Sequence, residues 1–306
     1  MSRKLRYVPE EGTLAHVTCR TVQGRFLFSP SLNLNDIVLG VLGRAQRLHP
    51  IRVCGVSVLS NHVHLVLDVD NAQQVSDFME YANSKLAREI NRLTKWSGPV
   101  FEHRYTMILV TNEEAAQMEV LKYVLAQGCK ENLVERVEDW PGVHSVHALL
   151  GGEPLTGHWF NRSQEYAARR RGEAFDRLKY ATEENLVLSP LPCWKHLPAE
   201  EYRERVRTLI EDIEQEAGVA REAAGIPTLG PEAILSQDPH HRPEKIAKSP
   251  APFVHAASKA ARLALYQSYA WFVAAFREAA EKLRRGDRTA CFPAGSFPPA
   301  LPFVAG

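Results

Sequence analysis

The sequence predicts an α+β fold: an antiparallel sheet in ferredoxin-like βαββαβ order with one extra helix, followed by a mainly α-helical C-terminal region. Three observations lead there. Up to about residue 130 the apolar residues switch between period two and period 3.6, which marks strands and amphipathic helices in turn. The order of those stretches is β-α-β-β-α-β and then α. Beyond Leu150 the long periodic stretches are helical. The chain has 306 residues, 45% hydrophobic and 24% charged, enough for one large domain or two ordinary ones.

The first strand is predicted over 14–20, LAHVTCR, which alternates and is β-prone. RFLFSPS is a turn region. Asn33 or Asn35 is placed to cap a helix reaching Leu48, with Ile37, Val38, Val41, Leu42 and Ala45 on one face. Pro50 stops it. IRVCGVSVL and HVHLVLDV are the second and third strands, with LSN as a tight hairpin between them. A long helix from Ala72 to Lys95 turns Val75, Phe78, Met79, Ala82, Leu86 and Ile90 to one side and ends at WSGP. RYTMILV is the fourth strand. NEEAAQMEVLKYVLAQG is the extra helix, with Asn112 as N-cap, acids in the first turn and Gly128 at the stop. In this order the helices pack on one face of the sheet and leave the other open for a ligand.

The stretch VLSNHVHLVLDV sets two histidines into an apolar strand. Residues two apart in a strand point the same way. Val63, Leu65 and Leu67 therefore bury against the helices, while His62 and His64 stand side by side on the open face. Two imidazoles held this way can chelate a divalent metal. Taken alone, an HxH pair is more simply two satisfied surface histidines, and context must shift that reading. On the extra helix, Tyr123 and Gln127 are spaced i and i+4 and share a face. A tyrosine hydroxyl is a nucleophile when its target is polarised, and a carboxamide oxygen one turn away is a hard donor of the kind Mg2+ takes. That spacing also suits an aromatic on the rim of an amphipathic helix.

A net charge of +1 means that any polyanion site must be a local patch. Arg3, Lys4, Arg6, Arg20 and Arg104 are the candidate DNA-phosphate contacts. The five cysteines are scattered and form no CxxC pair, so neither a disulfide framework nor a zinc knuckle is expected, and a reducing cytoplasmic location fits. The first residues lack a secretory pattern, and no apolar run nears the roughly 20 residues of a membrane span.

Together these stretches resemble the single-tyrosine HUH transposases, in particular the REP-associated tyrosine transposases. LSNHVHLVL is similar to that family's MPNHVHLLL signature, and AHVTCR to its opening YHVTSR strand. FMEYANSKLAREINRLTKWSGPVFEHRY follows its helix, turn and RY strand, and LKYVLAQGCKENLVERVEDWPGVHS falls where it has its tyrosine helix. The resemblance covers about residues 5–150. It implies a DNA transposase domain over 1–150 that cuts single-stranded hairpin DNA by metal-dependent transesterification through a 5′-phosphotyrosine. Tyr123 would be the catalytic tyrosine. His62, His64 and Gln127 would be the ligands of Mg2+ or Mn2+, and Asn61 would fix the hairpin. Tyr105, in the RY pair, and Tyr81 are decoys for the nucleophile. QGC stands where the family has NPV, and PGVHS where it ends in pwSS, departures that leave the His, His, Tyr set intact. The alternative is a catalytically silent or domesticated hairpin-binding regulator. A small hydrolase that activates water at the His pair is a third reading. The protein would act as monomer or homodimer.

Residues 151–306 lie outside the resemblance and form a helical extension of unknown role. LLGGEPLTGHW reads as a loop and domain boundary. EYAARRRGEAF carries Arg169, Arg170 and Arg171, a charge run most simply solvated. AEEYRERVRTLIEDIEQEAGVAREA and VHAASKAARLALYQSYAWFVAAFREAAEKLRRG are amphipathic helices. His240 and His241 are adjacent in a proline-broken loop, and CFPAGSFPPALPFVAG is an extended tail.

Overall fold

The computed structural model describes residues 5–174, 176–244 and 251–299. Its first half contains β1 (Thr13–Arg20), α1 (Leu32–Leu48), β2 (Arg52–Leu59), β3 (His62–Val69), α2 (Ala72–Thr94), β4 (Thr106–Val110), α3 (Glu114–Leu125) and a short α4 (Gln127–Lys130). There follow α5 (Val146–Gly151), β5 (Leu155–Phe160), α6 (Arg162–Arg170), β6 (Ala181–Leu186), α7 (Ala199–Ala224), α8 (Pro231–Leu235), β7 (Val254–His255) and α9 (Lys259–Arg284). The α+β class and the predicted order of the first seven elements hold.

The main sheet runs β2-β3-β1-β4-β7. Its first four strands are antiparallel in the ferredoxin-like arrangement, and β7 adds to the edge parallel to β4. A bulge at Cys54 interrupts the β2–β3 register. β1 and β3 are central and buried on both faces, which is why HVHLVLDV is a nearly continuous apolar run.

The expectation of an open sheet face is corrected. Helices cover both faces. On one, Val17, Val63, Leu65 and Leu67 meet α1 and α2 through Val38, Val41, Phe78, Leu86 and Ile90. On the other, Leu14, Val66 and Val110 meet Val120, Leu121 and Val124 of α3, and this core continues to Leu209 and Ile213 of α7. The reason is that α3 has an apolar stripe of its own, and the second sheet face is where it is buried.

Caps differ from expectation too. Ser31, not an asparagine, caps α1 by accepting from the Leu34 amide. The residue before α3 is Glu113, whose carboxylate instead accepts from the backbone ahead of α9. The stretch expected to be a boundary loop contains β5, which pairs with β6 and lies across α1. Gly40, Gly43 and Gly157 make this possible. A Cβ on Gly40 would stand 2.1 Å from the His158 carbonyl carbon, so backbones meet where side chains ordinarily would. Phe160 and Leu186 of this hairpin join the α1–α2 core. The C-terminal half thus adds to both cores and to the sheet edge as well as supplying the expected helices.

Candidate functional site: a histidine pair beneath a tyrosine helix

The site is built at the hairpin end of β3. Asn61 is held there: its carbonyl accepts from the Thr21 amide at 2.9 Å and the Thr21 hydroxyl at 3.0 Å. Its side-chain oxygen accepts from His62 Nδ1 at 2.6 Å. That bond assigns the proton of a neutral His62 to Nδ1 and leaves Nε2 with its lone pair. The alternation of β3 then sends Val63 into one core and His62 and His64 to the α3 side, their ring centroids 4.6 Å apart.

His64 is buried, and its Nδ1 lies 2.8 Å from Nε2 of His16 on β1, with the rings stacked. This fixes the His64 ring. Its Nε2 is buried and has no hydrogen-bond partner among the described residues, a state that ordinarily costs stability. His16 was missed in the sequence reading, although the resembling stretch AHVTCR contains it.

Tyr123 brings its ring over this group, with centroids 5.8 Å from His64 and 5.6 Å from His16, while remaining 40% exposed. Lys130 Nζ lies 4.6 Å from the Tyr123 ring centre. Gln127 is buried; its amide nitrogen donates to the Tyr123 carbonyl at 2.8 Å, and its side chain bonds with His62. The helix continues through Ala126, so i and i+4 stay on one side as spaced. All four residues proposed from the sequence for nucleophile and metal are therefore brought together from β3, α3 and α4.

Burial keeps these histidines neutral. It pushes His16 to about 4, helped by the charges of His255 and His62. It pushes His62 to about 4 against an opposing bond from Gln127, and His64 well below the usual range. With His64 Nδ1 donating to His16, both histidines present an Nε2 lone pair, and these two nitrogens with the Gln127 carboxamide make a donor set that fits a divalent cation. Gln127 lies outside the His/Cys/Asp/Glu types, and among the described residues no group of three of those types gathers into a metal site.

His144, fully buried beside α3, is also pushed down to about 4 by desolvation. In the unfolded chain a histidine titrates near 6.5, so the unfolded state takes up protons first as the pH falls. Stability is complete above that value and is lost between it and the folded pKa. The unfolding free energy from urea titration is expected to fall on acidification from pH 7 to pH 5, by about 1–2 kcal/mol for each such histidine. His144→Gln should flatten that dependence; an unchanged slope would contradict the assignment.

Arg20 pairs in register with His62, at the rim of the site. Arg104 is exposed just before β4. Arg6 is engaged by the protein itself: it bonds Ser76 and lies 5.1 Å over the Tyr105 ring and 5.3 Å over Phe297. Arg3 and Lys4 lie outside the described residues. Tyr105 and Tyr81 pack into or against the core on the opposite face of the sheet, away from the histidines. His240 and His241 hold loops: His240 Nε2 donates to the Thr94 carbonyl at 2.7 Å, and His241 packs on Phe26. His255 of β7, which lies beyond the resemblance, has Nε2 3.1 Å from Glu119 on α3, one turn before Tyr123. A two-residue strand carries no periodic signal that could have found it. Among the described residues, no helix is long and apolar enough to cross a membrane.

Residues 14–127 match the family model described as transposase IS200 like. Among solved structures the chain is similar to a REP-associated tyrosine transposase bound to a REP hairpin. The identity is 16%, over 49% of this chain and 86% of that one, with a TM-score of 0.40. It is also similar to a protein of Deinococcus radiodurans R1 described as a transposase, at 17% identity over 42% of this chain and 98% of that one, with a TM-score of 0.28. No curated protein matches the chain.

Proposed function

Taking residues 14–127 as an IS200-like transposase domain, we propose that the protein is a DNA transposase that cleaves and rejoins single-stranded hairpin DNA through a tyrosine. The observation that carries this reading is the convergence of Tyr123, His62, His64 and Gln127 from separate elements onto one buried edge of α3. His62, His64 and Gln127 would hold Mg2+ or Mn2+. A bound divalent ion supplies charge neutralisation at a scissile phosphate.

The chain's own residues do the rest. Asn61 and His16 set the ring orientations of His62 and His64, so that both present Nε2. The rigid strand and helix hold the Tyr123 ring over the histidines while the residue stays 40% exposed, so a strand can reach it. Tyr123 Oη gives up its proton and bonds the phosphorus, the P–O3′ bond breaks, and the departing oxygen takes up a proton from solvent and leaves as a 3′-OH. The new phosphotyrosine ester keeps the energy of the broken bond, so a second 3′-OH reverses the step and joins strands without ATP. Arg20, beside His62, is placed to touch the backbone at the point of cleavage.

The test is an end-labelled single-stranded hairpin incubated with protein and Mg2+, then resolved on a denaturing gel. A covalent protein–DNA band that disappears with chelator is expected. Tight hairpin binding with no band would favour the non-catalytic regulator. His16→Phe should weaken Mn2+ binding about 10–100-fold through loss of His64 orientation. Calorimetric titration measures this, and unchanged affinity would remove His16 from its positioning role.

A further inference from the structure

The structure assigns a second nucleic-acid surface, outside the transposase-like segment: the exposed face of α9, which we propose binds the single strand that flanks the hairpin. The inference rests on the proposed function for its partner, but its evidence is separate.

One face of α9 is buried. Tyr269 and Phe272 pack on Tyr7, and Phe253 lies 4.3 Å from Tyr269. The exposed arc carries Lys259, Arg262, Leu263, Tyr266 and Arg277, with Trp271 at its far edge about 130° round the helix, and the Tyr266 ring also rests 5.8 Å from Phe253. Trp271 is 67% exposed, an unusual state for the largest apolar side chain. From His255 to Arg277 there is no acidic residue. Lys259, Arg262 and Arg277 form no ion pair with any described residue, whereas most arginines of α6 and α7 are paired with carboxylates. At 1.5 Å per residue the face extends about 27 Å.

Unpaired cations and exposed aromatics along a helix stretch without acidic residues suit a single strand: phosphates meet the charges and bases stack on the rings. A second copy of the chain fits poorly, since a two-fold pairing of this face would bring the same three cations together. The location also fits. α9 begins four residues after His255, which contacts Glu119 one turn from Tyr123. The turn between β7 and α9 is tied to Glu113 ahead of α3, through the Ala257 and Ser258 amides. A strand leaving Tyr123 toward the β7 edge therefore meets the start of this platform.

The test uses the full chain with chelator present, so that no cleavage occurs. Fluorescence anisotropy compares a labelled hairpin with and without a single-stranded extension. The extension should tighten binding to the wild type. The double variant Tyr266→Ala, Trp271→Ala should lose about tenfold or more on the extended substrate and nothing on the bare hairpin. Lys259→Gln, Arg262→Gln, Arg277→Gln together should lower the salt dependence of binding by about two units of slope. Tyr266 also packs on Phe253, so the single variant Trp271→Ala, at a residue 67% exposed, is measured alongside; it should melt as the wild type does and still lose affinity only on the extended substrate. Equal affinities for the two substrates, or variants that bind the extension normally, would overturn the platform. So would a concentration-dependent dimer that Trp271→Ala abolishes while DNA affinity stays the same. The covalent-band assay is independent. A band with a silent α9 rejects only the platform, and extension binding through α9 without a band rejects only the transposase.

Discussion

Tyr123→Phe is expected to abolish the covalent protein–DNA band and to lower strand cleavage by on the order of 10³ or more, while hairpin affinity stays near the wild-type value. The substitution removes one oxygen and leaves the ring. That ring packs edge-on against His16 and His64 and lies under Lys130, contacts that phenylalanine keeps. With the residue 40% exposed, removing the hydroxyl opens no cavity, so a loss of activity would report chemistry and not folding. Tyr105→Phe is the matched control. Its hydroxyl is buried with no hydrogen-bond partner among the described residues, in the core of the other sheet face, so cleavage should survive. Cleavage that persists in Tyr123→Phe would move the chemistry to water at the histidine pair.

Gly40→Ala is expected to destabilise the protein by about 3 kcal/mol or more, a fall in melting temperature of roughly 6–12 °C for a chain of this size. On a free helix surface the same change would stabilise by about 0.5–1 kcal/mol, because alanine is the better helix former. The sign therefore reads the packing. The added methyl would sit 2.1 Å from the His158 carbonyl carbon and 2.6 Å from the Trp159 nitrogen. Both are backbone atoms of β5, which is locked to β6, and Arg44 and Arg47 hold Glu184 of β6 by ion pairs. Gly43→Ala meets Asn185 backbone at 2.9 Å and should cost less. A melting temperature for Gly40→Ala within a degree or two of wild type would mean that the hairpin does not rest on α1.

The strand pair at His62 and His64 was legible because period two is a strict geometric consequence of an extended chain. Tyr123 and Gln127 were legible together because i and i+4 is equally strict in a helix. His16 was not picked out. Its strand alternates correctly, but alternation says only which face it shares, and its partner lies 48 residues away in β3. Gly40 and Gly43 were passed over for a related reason. The apolar stripe of α1 reads the same with or without them, and their value appears only once another backbone rests there.

Local order, the ferredoxin-like succession of elements and the residue types of the site were determined by the sequence alone, since each depends on backbone periodicity over a few residues. Tertiary structure decided the rest: that α3 closes the second sheet face and buries the histidines, that His16 braces His64, and that β5, β6 and β7 from the C-terminal half complete the cores and the sheet. Those outcomes depend on which surfaces meet across large sequence separations, a matter of shape and desolvation that no short window of residues encodes.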